Sequence, residues 1–365
     1  MKKLSGGLEL VPGFKFAALP CGIRYKDRLD YTVIVADAPC NSAGLFTKNK
    51  VTAAPVKLCR QRIDEPIGAI LINSTNANAC TGDQGYDTAK RLTADMAEQL
   101  NLAPESVLMS STGIIGHQLP YEIMAGAHKT LVENLSQEAG TEVPKAIMTT
   151  DTFPKSVAYS FSTGQGDFTI AGTAKGSGMI APDMATLLSY VITDAPVDHA
   201  FLKESFGRAI DKSFNAITID GDMSTNDTAI ILAPQSETPL TDSRDLKAFE
   251  EALTAVALDL GTMLVKDGEG ATKIIRIKVI GAASDEDARL VTKAITNSAL
   301  VKTAFFGEDP NWGRIAMAAG YSGARVEEQS LTISFGSLTL LERGTPLNYD
   351  GDEMAAIMAD RKSVV

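Results

Sequence analysis

At 365 residues with 44% hydrophobic and only 6% aromatic content, the chain can bury a sizeable core of aliphatic and small residues, as one large domain or two. A net charge of −11 without any basic run argues against phosphate backbones and anionic membrane surfaces, so neither nucleic acid nor a membrane is an expected partner and small polar metabolites are. The opening Met1-Lys-Lys-Leu-Ser-Gly-Gly-Leu-Glu9 has no apolar h-region and no membrane-length apolar run follows, so the cytoplasm is the expected compartment. Strand-like runs fall at Tyr31–Val35 and Ala69–Ile72. Over Thr88–Leu100, Leu92, Met96 and Leu100 recur every four residues and predict a helix with one apolar face. Val107–Met109 and Ile147–Thr149 read as strands, as does Thr186–Thr193. Leu246, Phe249, Leu253, Val256, Leu260 and Leu264 predict a long amphipathic helix, with Gly268 stopping it in a left-handed conformation. Lys273–Ile280 reads as a strand, and Ser284 with Asp287 as an N-cap opening a helix through Leu300. The alternation predicts mixed α/β structure, but periodicity does not order the strands.

Cys21, Cys40, Cys59 and Cys80 contain no Cys-x-x-Cys pair and read as free thiols. His117, His128 and His199 lack metal-ligand spacing, so no metal site is expected. The most informative segment is Lys175-Gly-Ser-Gly-Met-Ile-Ala-Pro-Asp-Met-Ala185-Thr186, a small-residue loop running into an apolar strand. A hydroxyl at that junction can attack the preceding carbonyl. Hydrolysis of the resulting ester leaves Thr186 as an N-terminus whose α-amine, of pKa about 7.7–8.0, serves as base beside its own hydroxyl. An ordinary Gly-rich connection has the same local pattern. Thr112-Gly113 follows a strand, and a glycine N–H beside a threonine hydroxyl can present two donors to one oxyanion; Ser110–Gly113 reads equally as a turn. Lys175 could meet a substrate carboxylate, or be a solvated loop lysine. Glu269, between Gly268 and Gly270, could pair with a substrate amine, or be a surface turn residue.

The Lys175–Thr186 segment resembles the self-cleavage segment of the ornithine acetyltransferases, the glutamate N-acetyltransferases of arginine biosynthesis. Further stretches resemble the family's signatures, in the family's order. They are Ala54-Pro-Val-Lys-Leu-Cys-Arg60, Asn76-Ala-Asn-Ala-Cys-Thr-Gly82, Ser111-Thr-Gly-Ile-Ile-Gly116, Thr149-Thr-Asp-Thr152, Asp220-Gly-Asp-Met-Ser-Thr-Asn-Asp-Thr228 and Gly307-Glu-Asp-Pro-Asn-Trp-Gly-Arg314. Asp183 stands where the family usually has Asn, and Thr75 where it usually has Gly.

The resemblance implies a layered α/β sandwich of two central β-sheets flanked by helices. It implies cleavage between Ala185 and Thr186 into an α chain (1–185) and a β chain (186–365), interleaved in one fold as an assembly of two of each. It implies acetyl transfer from N-acetylornithine to glutamate through an acetyl ester on Thr186, with Thr112 and Gly113 as the oxyanion hole. Thr149, Lys175, Thr186 and Glu269 are implied to bind substrate, although neighbouring Thr150 leaves the first of these open by one position. No cofactor is implied. Acetyl-CoA is a co-substrate in family members with two activities, and the absence of a Gly-rich phosphate loop favours N-acetylornithine as sole donor here. Asn311, Trp312 and Arg314 receive no chemical role. Family members continue into a tail that supplies two more substrate contacts. With this chain ending at Val365, cleavage is expected to persist and transfer to weaken. A self-cleaving amidohydrolase or aminopeptidase of the same fold, with water as acceptor, and a degenerate inactive homologue are the alternatives.

Overall fold

The computed structural model describes residues 1–181 and 187–360, and the backbone of 362–364. Two compact units are distinguishable, one of residues 1–217 and 222–267 and one of 218–221 and 268–365.

The first unit contains, in chain order, β1 (Lys2–Leu4), β2 (Phe14–Leu19), β3 (Tyr31–Phe46), α1 (Ala54–Arg62), β4 (Ile67–Asn73), α2 (Gly82–Leu100), β5 (Val107–Ser111), α3 (Tyr121–Glu133) and α4 (Val143–Ala146). It continues with β6 (Lys155–Thr163), β7 (Gly166–Lys175), β8 (Leu188–Thr193), α5 (His199–Lys212), β9 (Thr228–Pro234) and α6 (Ser243–Lys266). Nine strands hydrogen-bond in the order β1-β6-β7-β8-β9-β3-β4-β5, with β2 also on β3. The sheet is mixed: β4/β5 and β8/β9 pair parallel, the rest antiparallel.

Long β3 makes two layers out of this one sheet. Its first half pairs with β2 and β4, and its second half, from Cys40 onward, pairs with β9. The register with β4 shifts between Val35 and Cys40, across a stretch that includes Pro39, which has no N–H for the ladder. Alternate residues then face a shared interior. Ile70, Ile72 and Leu108 of one layer pack with Leu188, Tyr190, Ile192, Ile230 and Leu232 of the other. The opposite faces are covered by helices. Ala69, Leu71 and Met109 meet Leu92, Met96, Met124 and Leu131 of α2 and α3. On the other side Phe161 contacts Phe249 of α6, and a Cβ at Gly172 would lie 2.7 Å from Val256, so glycine lets α6 approach the sheet. The expected layered sandwich is therefore present, its two sheets joined through β3.

The second unit contains β10 (Ile274–Arg276), α7 (Asp285–Asn297), α8 (Ala299–Phe306), α9 (Trp312–Gly320), β11 (Ile333–Phe335), β12 (Leu338–Glu342), β13 (Thr345–Pro346), α10 (Gly351–Ala359) and β14 (Lys362–Val364). Its core joins Ile295, Phe305 and Ile315 of the helices to Phe335, Leu340 and Leu341 of the β11-β12-β13 sheet. Asn311 caps α9, and Arg314 reaches back to the Leu300 carbonyl at 2.7 Å, so this part of the Gly307–Arg314 motif joins two helices.

Several sequence expectations change. Ile147–Thr149 is not a strand: Ile147 caps α4, and a turn follows. Lys273–Ile280 keeps strand structure only at β10. Ser284 does cap α7, accepting from the Asp287 amide at 3.1 Å, but the helix stops at Asn297, where Ser298 caps a second one. Gly268 is not left-handed; Asp267 ends α6 at φ −94°, and Gly270 takes the positive φ of 69°.

Candidate active site

Parallel β4 and β5 end side by side, pairing Asn73 with Ser111. The chains beyond them stay together. The Thr112 amide donates to the Asn73 carbonyl at 3.0 Å, the Ile114 amide to the Thr75 carbonyl at 2.9 Å, and Asn76 and Ile114 form a bridge. Gly113 has φ +130°, and a Cβ there would lie 2.1 Å from the Thr75 carbonyl, so only glycine fits without displacing the loop. Gly113 is an exposed residue, and its amide donates to no group among the described residues.

Thr112 is nearly buried, and its hydroxyl accepts a hydrogen bond from Lys175 Nζ at 3.2 Å. Lys175 is the last residue of β7, opposite Leu188 of β8, and it is 6% exposed. It is not a solvated loop lysine. Burial lowers its pKa. The Asp151 carboxylate opposes that most strongly and Asp227 more weakly, while Lys155 and Arg28 add to the lowering. The bond from Lys175 to Thr112 spans the two layers of the sandwich.

A second tie comes from the Asp220–Thr228 motif. Asn226 donates through Nδ2 to the Ala77 carbonyl at 2.6 Å and the Ser111 carbonyl at 2.8 Å. Beside it, Asp227 accepts the Leu187 amide on Oδ1 at 3.0 Å, while its buried Oδ2 has no hydrogen-bond partner among the described residues. Burial pushes the Asp227 carboxyl well above the usual range, outweighing the Leu187 amide, a Thr47 interaction and Lys175.

The Thr149–Thr152 motif is organised by Asp151. Its Oδ2 accepts the Thr149 amide at 3.0 Å, and its Oδ1 accepts the Gly176 amide at 2.7 Å and Lys155 Nζ at 2.6 Å. Lys155 is fully buried and also meets Asp267 at 2.5 Å, and Asp267 accepts the Thr152 amide. Burial raises the Asp151 pKa, but Lys175, Lys155 and the Thr149 amide together hold it below the usual carboxylate range. Thr150 and Ser177 share a hydrogen bond at 2.7 Å, whereas the Thr149 hydroxyl makes none among the described residues. Thr149 lines a cavity of about 440 Å³ together with Arg28, Lys145 and Asp151.

The structure thus gathers Thr112, Gly113 and Lys175, with the Thr149 loop attached through Asp151. Glu269 lies in the second unit, in an exposed turn. Ala185 and Thr186 lie outside the described residues; Leu187, which follows them, is tied to Asp227. Sequence reasoning quoted the motifs of Asp151, Asn226 and Asp227 without assigning them roles, and it missed Lys155. Asp267 was equally illegible, because it meets Lys155 across more than a hundred positions.

A backbone N–H without a partner among the described residues, set beside a hydroxyl that a buried ammonium engages, can hold the oxyanion of an acyl transfer. The chain belongs to the ArgJ family, whose match covers residues 15–365. The Arginine biosynthesis bifunctional protein ArgJ of Geobacter sulfurreducens is 48% identical over 346 residues, spanning 94% of this chain and 88% of that protein. The protein of the same name from Thermosynechococcus vestitus is 43% identical over 354 residues, spanning 96% and 84%. A crystal structure of Arginine biosynthesis bifunctional protein ArgJ from Bacillus halodurans is 34% identical with a TM-score of 0.47, over 50% of this chain and 96% of that one.

Proposed function

We propose that this chain transfers the acetyl group of N-acetylornithine to glutamate in arginine biosynthesis, through an acetyl ester on Thr186. The observation that carries the proposal is the pairing of the unpartnered Gly113 amide with the Thr112 hydroxyl at the end of β5. Self-cleavage comes first. Thr186 Oγ attacks the Ala185 carbonyl carbon and the peptide C–N bond breaks, which frees the Thr186 α-amine and leaves an ester on Oγ; water then hydrolyses that ester, freeing the hydroxyl and the Ala185 carboxylate. In turnover that amine takes the Oγ proton as Oγ attacks the acetyl carbonyl carbon of N-acetylornithine. The tetrahedral oxyanion rests on Gly113 N–H and Thr112 O–H. Collapse breaks the C–N bond, and the proton passes to the departing ornithine amine. The glutamate amine then attacks the ester and gives a proton to the Thr186 α-amine, and Thr186 Oγ leaves with that proton as N-acetylglutamate forms.

Thr149, Lys175 and Glu269 are the proposed substrate contacts. The cations Arg28 and Lys145 of the cavity beside Thr149 suit the α-carboxylate that both substrates carry. The two cleavage products, 1–185 and 186–365, are proposed to assemble as two of each in the cytoplasm. No helix among the described residues is long and apolar enough to cross a membrane. Because the relatives are named bifunctional, acetyl-CoA is a second proposed donor, and its consumption with glutamate as sole acceptor tests that.

The deciding assay follows N-acetylornithine with and without glutamate. Transfer requires glutamate and yields N-acetylglutamate. Glutamate-independent release of acetate would instead indicate an amidohydrolase.

A further inference from the structure

The geometry points to a second role for Lys175, beyond any contact with substrate. We propose that Lys175 is a positioning residue that acts through Thr112, orienting and polarising the hydroxyl that meets the oxyanion, and that Asp151 is the carboxylate that holds its charge in place. This rests on the acyl-transfer reading of the Thr112-Gly113 pair and says which groups prepare that pair.

Three observations carry it. First, Lys175 Nζ donates to Thr112 Oγ1 at 3.2 Å, and an ammonium has no lone pair with which to accept in return. The threonine oxygen is therefore the acceptor in that bond, and its own hydrogen is left to point elsewhere. A charge-assisted bond at the oxygen also makes the O–H a stronger donor. Second, this ammonium is enclosed, so a carboxylate must support it. Asp227 is a poor supporter, because burial favours its neutral form. Asp151 is held ionised by Lys175 and Lys155 against burial. Third, the charges around it are matched. Asp267 sits on Lys155 at 2.5 Å, so Lys155 has a carboxylate besides Asp151. Two lysines and two carboxylates make a balanced buried set. The Asp151 bond to the Gly176 amide, one residue after Lys175, fixes the end of β7 that carries the ammonium. The charges that act on Lys175 are Asp151, Lys155, Asp227 and Arg28, and the largest attraction comes from Asp151.

A lysine that only binds a substrate carboxylate has no part in self-cleavage, where no substrate is present. A lysine acting through Thr112 does, because the same oxyanion donors serve both reactions. The test is a cleavage time course of the full chain made by cell-free synthesis without substrate, for wild type, Lys175→Met, Thr112→Val and the double variant. Lys175→Met is expected to slow cleavage by about 10- to 100-fold, the range for one charge-assisted hydrogen bond. Added to Thr112→Val it is expected to do nothing more, since the route through the hydroxyl is already gone.

Wild-type-like cleavage by Lys175→Met, or effects that multiply in the double variant, would overturn the inference. A wild type that neither cleaves nor transfers acetyl would instead overturn the acetyl-transfer reading, and this inference with it. Where circular dichroism shows Lys175→Met to be misfolded, Asp151→Asn decides. Without the carboxylate, burial lowers the Lys175 pKa further, so the alkaline fall-off in cleavage rate moves to lower pH. An unmoved alkaline limb would overturn the inference.

Discussion

Thr75 is the most instructive single position, because the resemblance places glycine there and the backbone agrees with glycine. Its φ is +84°, a region that a β-branched residue occupies only under constraint. The residue is 5% exposed, and its hydroxyl has no partner among the described residues. Thr75→Gly removes both penalties: about 1–3 kcal/mol of backbone strain and about 1–3 kcal/mol for the unsatisfied hydroxyl. Against that, glycine loses about 1 kcal/mol to the greater freedom of the unfolded chain, and the buried methyl is worth about another 1 kcal/mol. The gains equal the losses at their lowest and exceed them by about 2 kcal/mol at their midpoints. A rise in thermal midpoint of a few degrees is expected, at about 2–4 °C per kcal/mol in a unit of this size. Thermal unfolding followed by circular dichroism measures it, with Thr75→Ala as the control. Alanine removes the hydroxyl but keeps the Cβ, so it should recover only part of the gain. A Thr75→Gly midpoint at or below wild type would refute the reasoning, and equal midpoints for Ala and Gly would refute the strain component.

Three further outcomes are expected. Gly113→Ala puts a Cβ 2.1 Å from the Thr75 carbonyl, so the amide proposed to meet the oxyanion must move; kcat should fall by about 10²–10³ with far-UV circular dichroism unchanged. Lys155→Met removes the buried cation that Asp151 and Asp267 share and should cost about 3–5 kcal/mol, measured as a lower urea midpoint. His128 is buried, sharing a 2.7 Å hydrogen bond with the Tyr31 hydroxyl, and burial lowers its pKa to about 4. Its folded pKa lies below the unfolded value of about 6.5, so its contribution is complete above that pH and is lost as pH falls toward 4. His128→Phe should flatten the stability profile across that window, and an unchanged profile would assign the acid sensitivity to other groups.

The sequence carried the long helices and the strand that precedes Thr112 and Gly113, for definite reasons. Leu92, Met96 and the Leu246–Leu264 set report one buried face each, and both helices exist, although α6 extends to Lys266. Local pattern failed where distant groups decide. Ile147–Thr149 has strand-like residues, yet Asp151 takes the Thr149 amide and Arg28 donates to the Met148 and Thr149 carbonyls, which a strand ladder would need. The Ser284 cap marks where a helix opens but not where it ends, and the Ser298 side chain, accepting from the Val301 amide, stops it short of Leu300. The burial of Lys175 was invisible for the same reason, since Thr112 and Asp151 are far from it in sequence.

Intact-protein mass spectrometry, before and after incubation with N-acetylornithine and no glutamate, addresses the acetyl-threonine intermediate most directly. Two fragments are expected, the second beginning at Thr186 and gaining the mass of one acetyl group that glutamate then removes. Thr186→Ala should remain a single chain and gain nothing. A wild type that stays intact, or a cleaved one that turns over N-acetylornithine without ever carrying acetyl on the Thr186 fragment, would contradict the mechanism.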